Sequence, residues 1–140
     1  MSADPPHNRG MGRGPAKPPV KPLAKPADKT SLHLRLDFGG ERSLGPGKIR
    51  LLELINETGS ISAAGRALEM SYRQAWLLVD ELNRMFKEPV VSAQTGGGGG
   101  GGTVLTETGN TVVRLYRDME QRAYGASTSD VRALSRLLTR

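Results

Sequence analysis

Ser60-Ile-Ser-Ala-Ala-Gly-Arg-Ala-Leu-Glu-Met-Ser-Tyr-Arg-Gln-Ala-Trp-Leu-Leu-Val-Asp-Glu-Leu-Asn-Arg-Met-Phe86 reads as two helices with almost nothing between them. Ser60 or Ser62 is placed to cap a first, short helix running through Ala63, Ala64, Gly65, Arg66, Ala67 and Leu68, and its small residues let another helix approach closely. Ser71 is placed to cap a longer one, and only Glu69 and Met70 separate the two. A break that short forces a steep crossing, which is the helix-turn-helix shape. In the longer helix Ala75, Leu78, Val79, Leu82 and Phe86 recur at helical spacing and form a core face, with Arg73, Leu77, Asp80 and Arg84 opposite and Trp76 on the flank.

The segment immediately downstream settles the class. Seven glycines, Gly96 to Gly102, lie between two β-prone segments, Pro89-Val-Val-Ser-Ala-Gln-Thr95 and Thr103-Val-Leu-Thr106. The two segments can pair as a hairpin with the glycines at its tip. A helix-turn-helix followed by a hairpin is the order of a winged helix-turn-helix, a class that places its second helix in the DNA major groove.

Working outward, Leu32, Leu34, Leu36 and Phe38 alternate with polar residues at the period of a half-buried strand. Gly39-Gly40 supplies a turn, and Glu41 to Leu44 returns as a short partner strand. Pro46 suits a first helical position; Ile49, Leu52 and Ile55 come next at helical spacing, and Gly59 ends the helix. Downstream, Thr106 caps a last long helix with Val112, Leu115, Tyr116, Met119 and Ala123 as its apolar face, although Gly109 stands where a reciprocal capping box needs Glu or Gln. Arg114, Arg117 and Arg122 fall outside that stripe and read as solvated. The long helix reads either as a dimerisation element or as the cover of a three-helix core. The fold class is therefore α+β, mainly α: a winged helix-turn-helix with an N-terminal β-hairpin, a glycine-tipped wing and a C-terminal dimerisation helix.

Three regions are expected: residues 1–30 as a disordered Pro/Lys-rich tail, 31–125 as the DNA-binding domain, and 126–140 as a short amphipathic tail with Val131, Leu134 and Leu138. The first holds seven of the nine prolines and six Lys/Arg against two Asp, so it carries +4 of the formal +6 and leaves the rest of the chain only +2. Domain-wide basicity is a weak signal; any positive field must come from locally placed arginines. Lys17, Lys21, Lys25 and Lys29 recur every four residues, about 12 Å apart in extended chain. The tail reads as an arm laid along phosphates or as a solubilising leader.

Several functions are excluded or disfavoured. Cysteine is absent, which removes disulfides and thiolate metal sites, and the two histidines, His7 and His33, lie far apart, so neither metal nor other cofactor is expected. No apolar run approaches the roughly 18 residues of a membrane span, and the polar N-terminus lacks the apolar core of a signal peptide, so a cytoplasmic protein without membrane contact is expected. The glycine run is followed by a second β-prone stretch rather than a helix, and Gly102-Thr103 brings no lysine, so neither a dinucleotide fingerprint nor a P-loop is present. The chain is not expected to be an enzyme.

The DNA-facing residues are set by what the groove offers. In the second helix Ser71 caps the groove-facing turn, Arg73 can fork to guanine O6 and N7, Gln74 can pair with adenine N6 and N7, and Tyr72 can reach phosphate or sugar. Trp76 reads as a core or interface wedge or as a base contact. Ser60 and Ser62 of the first helix, and Thr95, Gly96, Gly97, Gly98, Gly99, Gly100, Gly101, Gly102 and Thr103 of the wing, complete the set. The expected partner is double-stranded DNA.

These residues carry a resemblance. Gly59-Ser-Ile-Ser-Ala-Ala-Gly-Arg-Ala-Leu68, Met70-Ser-Tyr-Arg-Gln-Ala-Trp76, and Thr95 with its glycine run and Val104-Leu-Thr-Glu-Thr-Gly109 resemble the N-terminal DNA-binding domain of ModE, the molybdate-responsive regulator. The similarity spans about Leu32 to Ala123; its serine-alanine helix and Leu-Thr-x-x-Gly element also occur in LysR-type regulators. It implies a homodimeric, sequence-specific transcriptional regulator on a palindromic operator, tied to molybdenum metabolism. The alternative is a winged-helix interaction module that dimerises with, or antagonises, a full-length regulator without specific DNA binding. Two departures stand out. The family continues into a molybdate-binding region where this chain has only Gly125 to Arg140, so direct molybdate binding is not expected. The family's wing commonly carries basic residues where this chain has Ala93 and Gly98. The lysine-bearing tail is expected to offset that loss, so removing residues 1–30 should lower DNA affinity and flatten its salt dependence, both measured by titration against a duplex at several salt concentrations.

Overall fold

The computed structural model describes residues 29–94 and 102–139. The tail over residues 1–28 and the wing positions Thr95 and Gly96 to Gly101 lie outside the described residues. Among the described residues the order is β1 (Leu36–Gly39), β2 (Arg42–Leu44), α1 (Pro46–Thr58), α2 (Ile61–Ala67), α3 (Tyr72–Met85), β3 (Val91–Gln94), β4 (Gly102–Leu105), α4 (Glu107–Ala126) and α5 (Thr128–Arg136). Each pair of strands forms its own antiparallel hairpin, and the architecture is a winged helix.

The first strand is shorter than its alternation suggests. Leu32, Leu34 and Leu36 are half-buried as expected, but the ladder with β2 runs only from Leu36 opposite Leu44 to Gly39 opposite Arg42, and Phe38 is exposed. Upstream backbone is used differently: the Leu34 carbonyl accepts the buried Tyr116 hydroxyl of α4 at 2.8 Å. That bond satisfies the one polar atom that Tyr116 brings into the interior.

α1 is the centre of the core. Ile49, Leu51, Leu52, Leu54 and Ile55 are all at most 1 % exposed, so the helix is covered on more than one side. Pro46 opens it, and Gly59 closes it at φ 75°, where its amide bonds back to the Ile55 carbonyl. Such a left-handed closure favours glycine. The first turn of α2 is capped by Ser60, whose Oγ accepts the Ala63 amide at 2.9 Å. Ser62, the other cap candidate, sits inside the helix, and its Oγ accepts from Arg66.

The corner between α2 and α3 is closed by backbone rather than by glycine. The Met70 amide returns to the Gly65 carbonyl and the Glu69 amide to the Arg66 carbonyl, with Glu69 held at φ 61°. This is a Schellman closure with glutamate in the left-handed position, at a conformational cost of about 1 kcal/mol. The two helices then touch at Gly65, where an added Cβ would stand 2.9 Å from the Ala75 Cβ. The crossing expected from the small residues of α2 is thus made by one glycine against one alanine.

A second close approach joins the hairpin to α4. Thr106 donates its amide to the Val90 carbonyl and its hydroxyl to the Pro89 carbonyl, while Oγ1 accepts the Gly109 amide at 2.9 Å. A Cβ on Gly109 would overlap the Val90 carbonyl oxygen and lie 3.0 Å from its carbon. The missing capping box is thereby explained: Gly109 occupies the position of the reciprocal Glu or Gln because the Val90 backbone leaves no room for a side chain.

Arg117 corrects the reading of the last long helix. Instead of being solvated, it is half-buried and donates to both carboxylate oxygens of Glu53 on α1 at 2.9 and 2.8 Å, and to Glu120 at 2.7 Å. Burial pushes the Glu53 carboxyl up, but hydrogen bonds and charge from Arg117 and Arg50 outweigh it and hold the group below its ordinary value.

Gly109→Ala should cost at least about 2 kcal/mol in urea unfolding, because the strain falls on backbone rather than on a flexible side chain. The lowered Glu53 group contributes stability that is whole above the unfolded carboxylate value of about 4.3 and is lost as pH falls through the lower folded value. Glu53→Gln should accordingly lose less stability between pH 7 and pH 3 than the parent chain, and an unchanged acid sensitivity would remove Glu53 from that role.

Candidate nucleic-acid interface

The exposed surface at the start of α3 collects four of the residues expected to face DNA, Ser71, Tyr72, Arg73 and Gln74. Ser71 caps the helix, its Oγ accepting the Gln74 amide at 3.1 Å. Tyr72, Arg73 and Gln74 are all exposed on the adjoining first turn. Ala75, Val79 and Leu82, at one-turn spacing, are buried and fix the roll of the helix, so the Arg73 side of the turn is held toward solvent. Leu78 and Phe86, also expected in the core, are partly buried against it.

The charges on α3 separate along its length. Asp80 pairs with Arg84 at 2.9 Å, and Glu81 is met by Lys48 of α1 at 2.9 Å. Arg73 has no hydrogen-bond or ion-pair partner among the described residues. An unengaged guanidinium beside the positive end of a 14-residue helix is a local anion-attracting surface in a domain of low net charge.

Trp76 is half-buried on the flank of α3, between the buried face and the exposed turn. Ser60 and Ser62 are half-buried, and both hydroxyls already accept a bond within α2. Of the expected wing residues, Gly102 and Thr103 lie in β4 and the remainder lie outside the described residues. Thr103 donates its amide to the Gly59 carbonyl at 3.0 Å, and a Cβ on Gly102 would stand 3.1 Å from the same oxygen. The end of β4 nearest the glycine run is therefore docked on the junction between α1 and α2. The hairpin expected from the flanks of the glycine run is present, with Val91 opposite Leu105 and Gln94 opposite Gly102.

One contributor was not visible in the residue pattern. Asn83, on α3, bonds to the backbone of Val90 and Val91 and so connects this helix to the wing. Its targets are main-chain groups, which leave no mark on side-chain spacing. Among the described residues no group of acidic or histidine side chains is arranged to hold a metal ion, and no helix is long and apolar enough to cross a membrane.

Comparison with known proteins bears on what this surface is for. No family model matches the chain. It is 34 % identical over 116 residues to the molybdenum transport protein ModE of Azotobacter vinelandii, covering 75 % of this chain and 43 % of that protein. Over 88 residues it is 37 % identical to the DNA-binding transcriptional dual regulator ModE of Escherichia coli K12, covering 61 % of this chain and 34 % of that one. It is also 40 % identical over 80 residues to the molybdenum-pterin-binding protein MopA of Rhodobacter capsulatus, covering 57 % and 30 % respectively. The chain spans less than half the length of each of these relatives. Taken with its winged-helix fold, this makes the chain a homologue of the ModE regulators over part of their length.

Proposed function

We propose that this chain is a sequence-specific, DNA-binding transcriptional regulator of ModE type, linked to molybdenum metabolism and working in the cytoplasm as a homodimer on a palindromic site. The observation that carries the reading is the first turn of α3: Arg73 and Gln74 are exposed beside a helix cap, on a helix whose roll is set by buried Ala75, Val79 and Leu82. A guanidinium and a carboxamide are the two side chains suited to forked bonds with guanine and adenine in the major groove. The names of the relatives support the molybdenum link and the regulatory role. In this reading Ser71 caps the turn, Tyr72 reaches phosphate or sugar, Trp76 contacts DNA or a partner from the flank, and the wing tracks the phosphate backbone.

Dimerisation is supported by the far end of the chain. Leu115 and Tyr124 of α4 and Leu134 of α5, with Leu137 and Leu138 just beyond it, are exposed, and α5 has no buried residue. A helix that leaves its apolar stripe in solvent is stabilised when a second subunit covers it. The same exposed leucines favour the second reading, a module that pairs with a full-length regulator and reads no sequence.

Selection from a random duplex pool separates the two. A recovered palindrome supports the regulator; recovery of no preferred sequence, with binding that salt abolishes uniformly, supports the module. On a recovered site, Arg73→Ala should cost about 1–3 kcal/mol and relax preference at one position of each half-site, as measured by competition among single-base variants. Equal losses on all sequences would reassign Arg73 to a phosphate.

A further inference from the structure

The wing is held from both edges, by the junction of α1 and α2 on one side and by α3 on the other. On the β4 side the bond is backbone to backbone, Thr103 to Gly59. On the β3 side it is made by one side chain. Asn83 Oδ1 accepts the Val90 amide at 2.8 Å and the Val91 amide at 3.0 Å, and Nδ2 donates to the Val91 carbonyl at 3.2 Å. Both backbone groups of Val91 therefore point away from β4 toward α3, and a single carboxamide satisfies them as a neighbouring strand would. Val90 is fully buried and Val91 nearly so, which makes those amides costly to leave unpaired.

Asn83 lies on the same helix as Arg73, ten residues on, and α3 runs unbroken between them. A rigid helix that carries both the exposed turn and the bracket of the hairpin fixes the angle between them. We infer that Asn83 is a positioning residue: it sets the wing relative to the first turn of α3, and so the register in which helix and hairpin meet one duplex. The part concerning the duplex rests on the DNA-binding reading above; the bracket itself does not.

The test uses the full chain, which has no cysteine, so that spin labels can be introduced at two exposed positions, Leu77→Cys on α3 and Ser92→Cys on β3. Double electron–electron resonance, on labelled chain diluted with excess unlabelled chain, reads the distance between helix and hairpin without DNA. Asn83→Ala is expected to broaden a narrow distribution. Asn83→Asp, which keeps the acceptor for both amides but turns a second oxygen to the Val91 carbonyl, should give a smaller broadening and carries the measurement if the alanine variant does not fold. On the selected duplex, affinity should fall by about tenfold, as expected when roughly one good hydrogen bond of positioning is lost. Hydroxyl-radical protection should disappear at the outer phosphates while guanine N7 protection beneath α3 persists. An unchanged distance distribution in the variants, or a loss of protection spread evenly over both parts of the footprint, would overturn the inference. A parent chain that prefers no duplex, together with a broadened distribution in the variants, would remove the DNA-binding reading and leave the positioning role standing.

Discussion

The backbone of Val90 and Val91 is the constraint through which the rest of the molecule is aligned. Their amides and the Val91 carbonyl are taken by Asn83 of α3, the Val90 carbonyl accepts from Thr106, and the same carbonyl lies against Gly109 at the start of α4. Two adjacent residues thus fix the second helix of the helix-turn-helix, the wing and the long C-terminal helix relative to one another. Main-chain groups suit this task because they carry no rotamer freedom and, once buried, must be paired. The hydrophobic core around α1 supplies the cohesion, but apolar contact is not directional, and these hydrogen bonds add the directional tie between α3, the wing and α4.

Much of the architecture is legible in local chemistry. Pro46 and Gly59 bracket α1, Ser60 and Ser71 cap α2 and α3, Thr106 caps α4, and the flanks of the glycine run pair as a hairpin. In each case one residue type with one conformational property is enough. Four features escape, for physical reasons that differ. The leucine alternation continues past the end of β1 because burial has the same period whether or not a ladder forms, and the Leu34 carbonyl is taken by Tyr116 instead. The closure at Glu69 lacks the glycine that would announce it. Arg117 reads as solvated because its partner, Glu53, lies 64 positions away in sequence. Asn83 bonds only to main chain, which every residue has.

The candidate interface is readable to a similar degree. The exposed turn from Tyr72 to Gln74 emerges from helical spacing once Ala75, Val79 and Leu82 are taken as core. What spacing does not supply is the surroundings of each side chain: that both acidic residues of α3 have cationic partners, and that the hydroxyls of Ser60 and Ser62 already accept bonds inside α2. A long polar side chain reads alike in sequence whether or not it is engaged, so Arg73 and Arg117 are not separable there.

The single glycine-to-alanine contact between α2 and α3 has a consequence for how such a protein can change over time. The corner depends on Gly65 and Ala75, and the helix's anchorage on Val79 and Leu82, whereas Arg73, Gln74 and Leu77 are exposed. Residues that maintain the fold and residues available for recognition therefore alternate along one helix without sharing positions. Drift at the exposed positions is nearly free of stability cost, so copies of such a gene could change the chemistry of this surface one substitution at a time while the fold is retained.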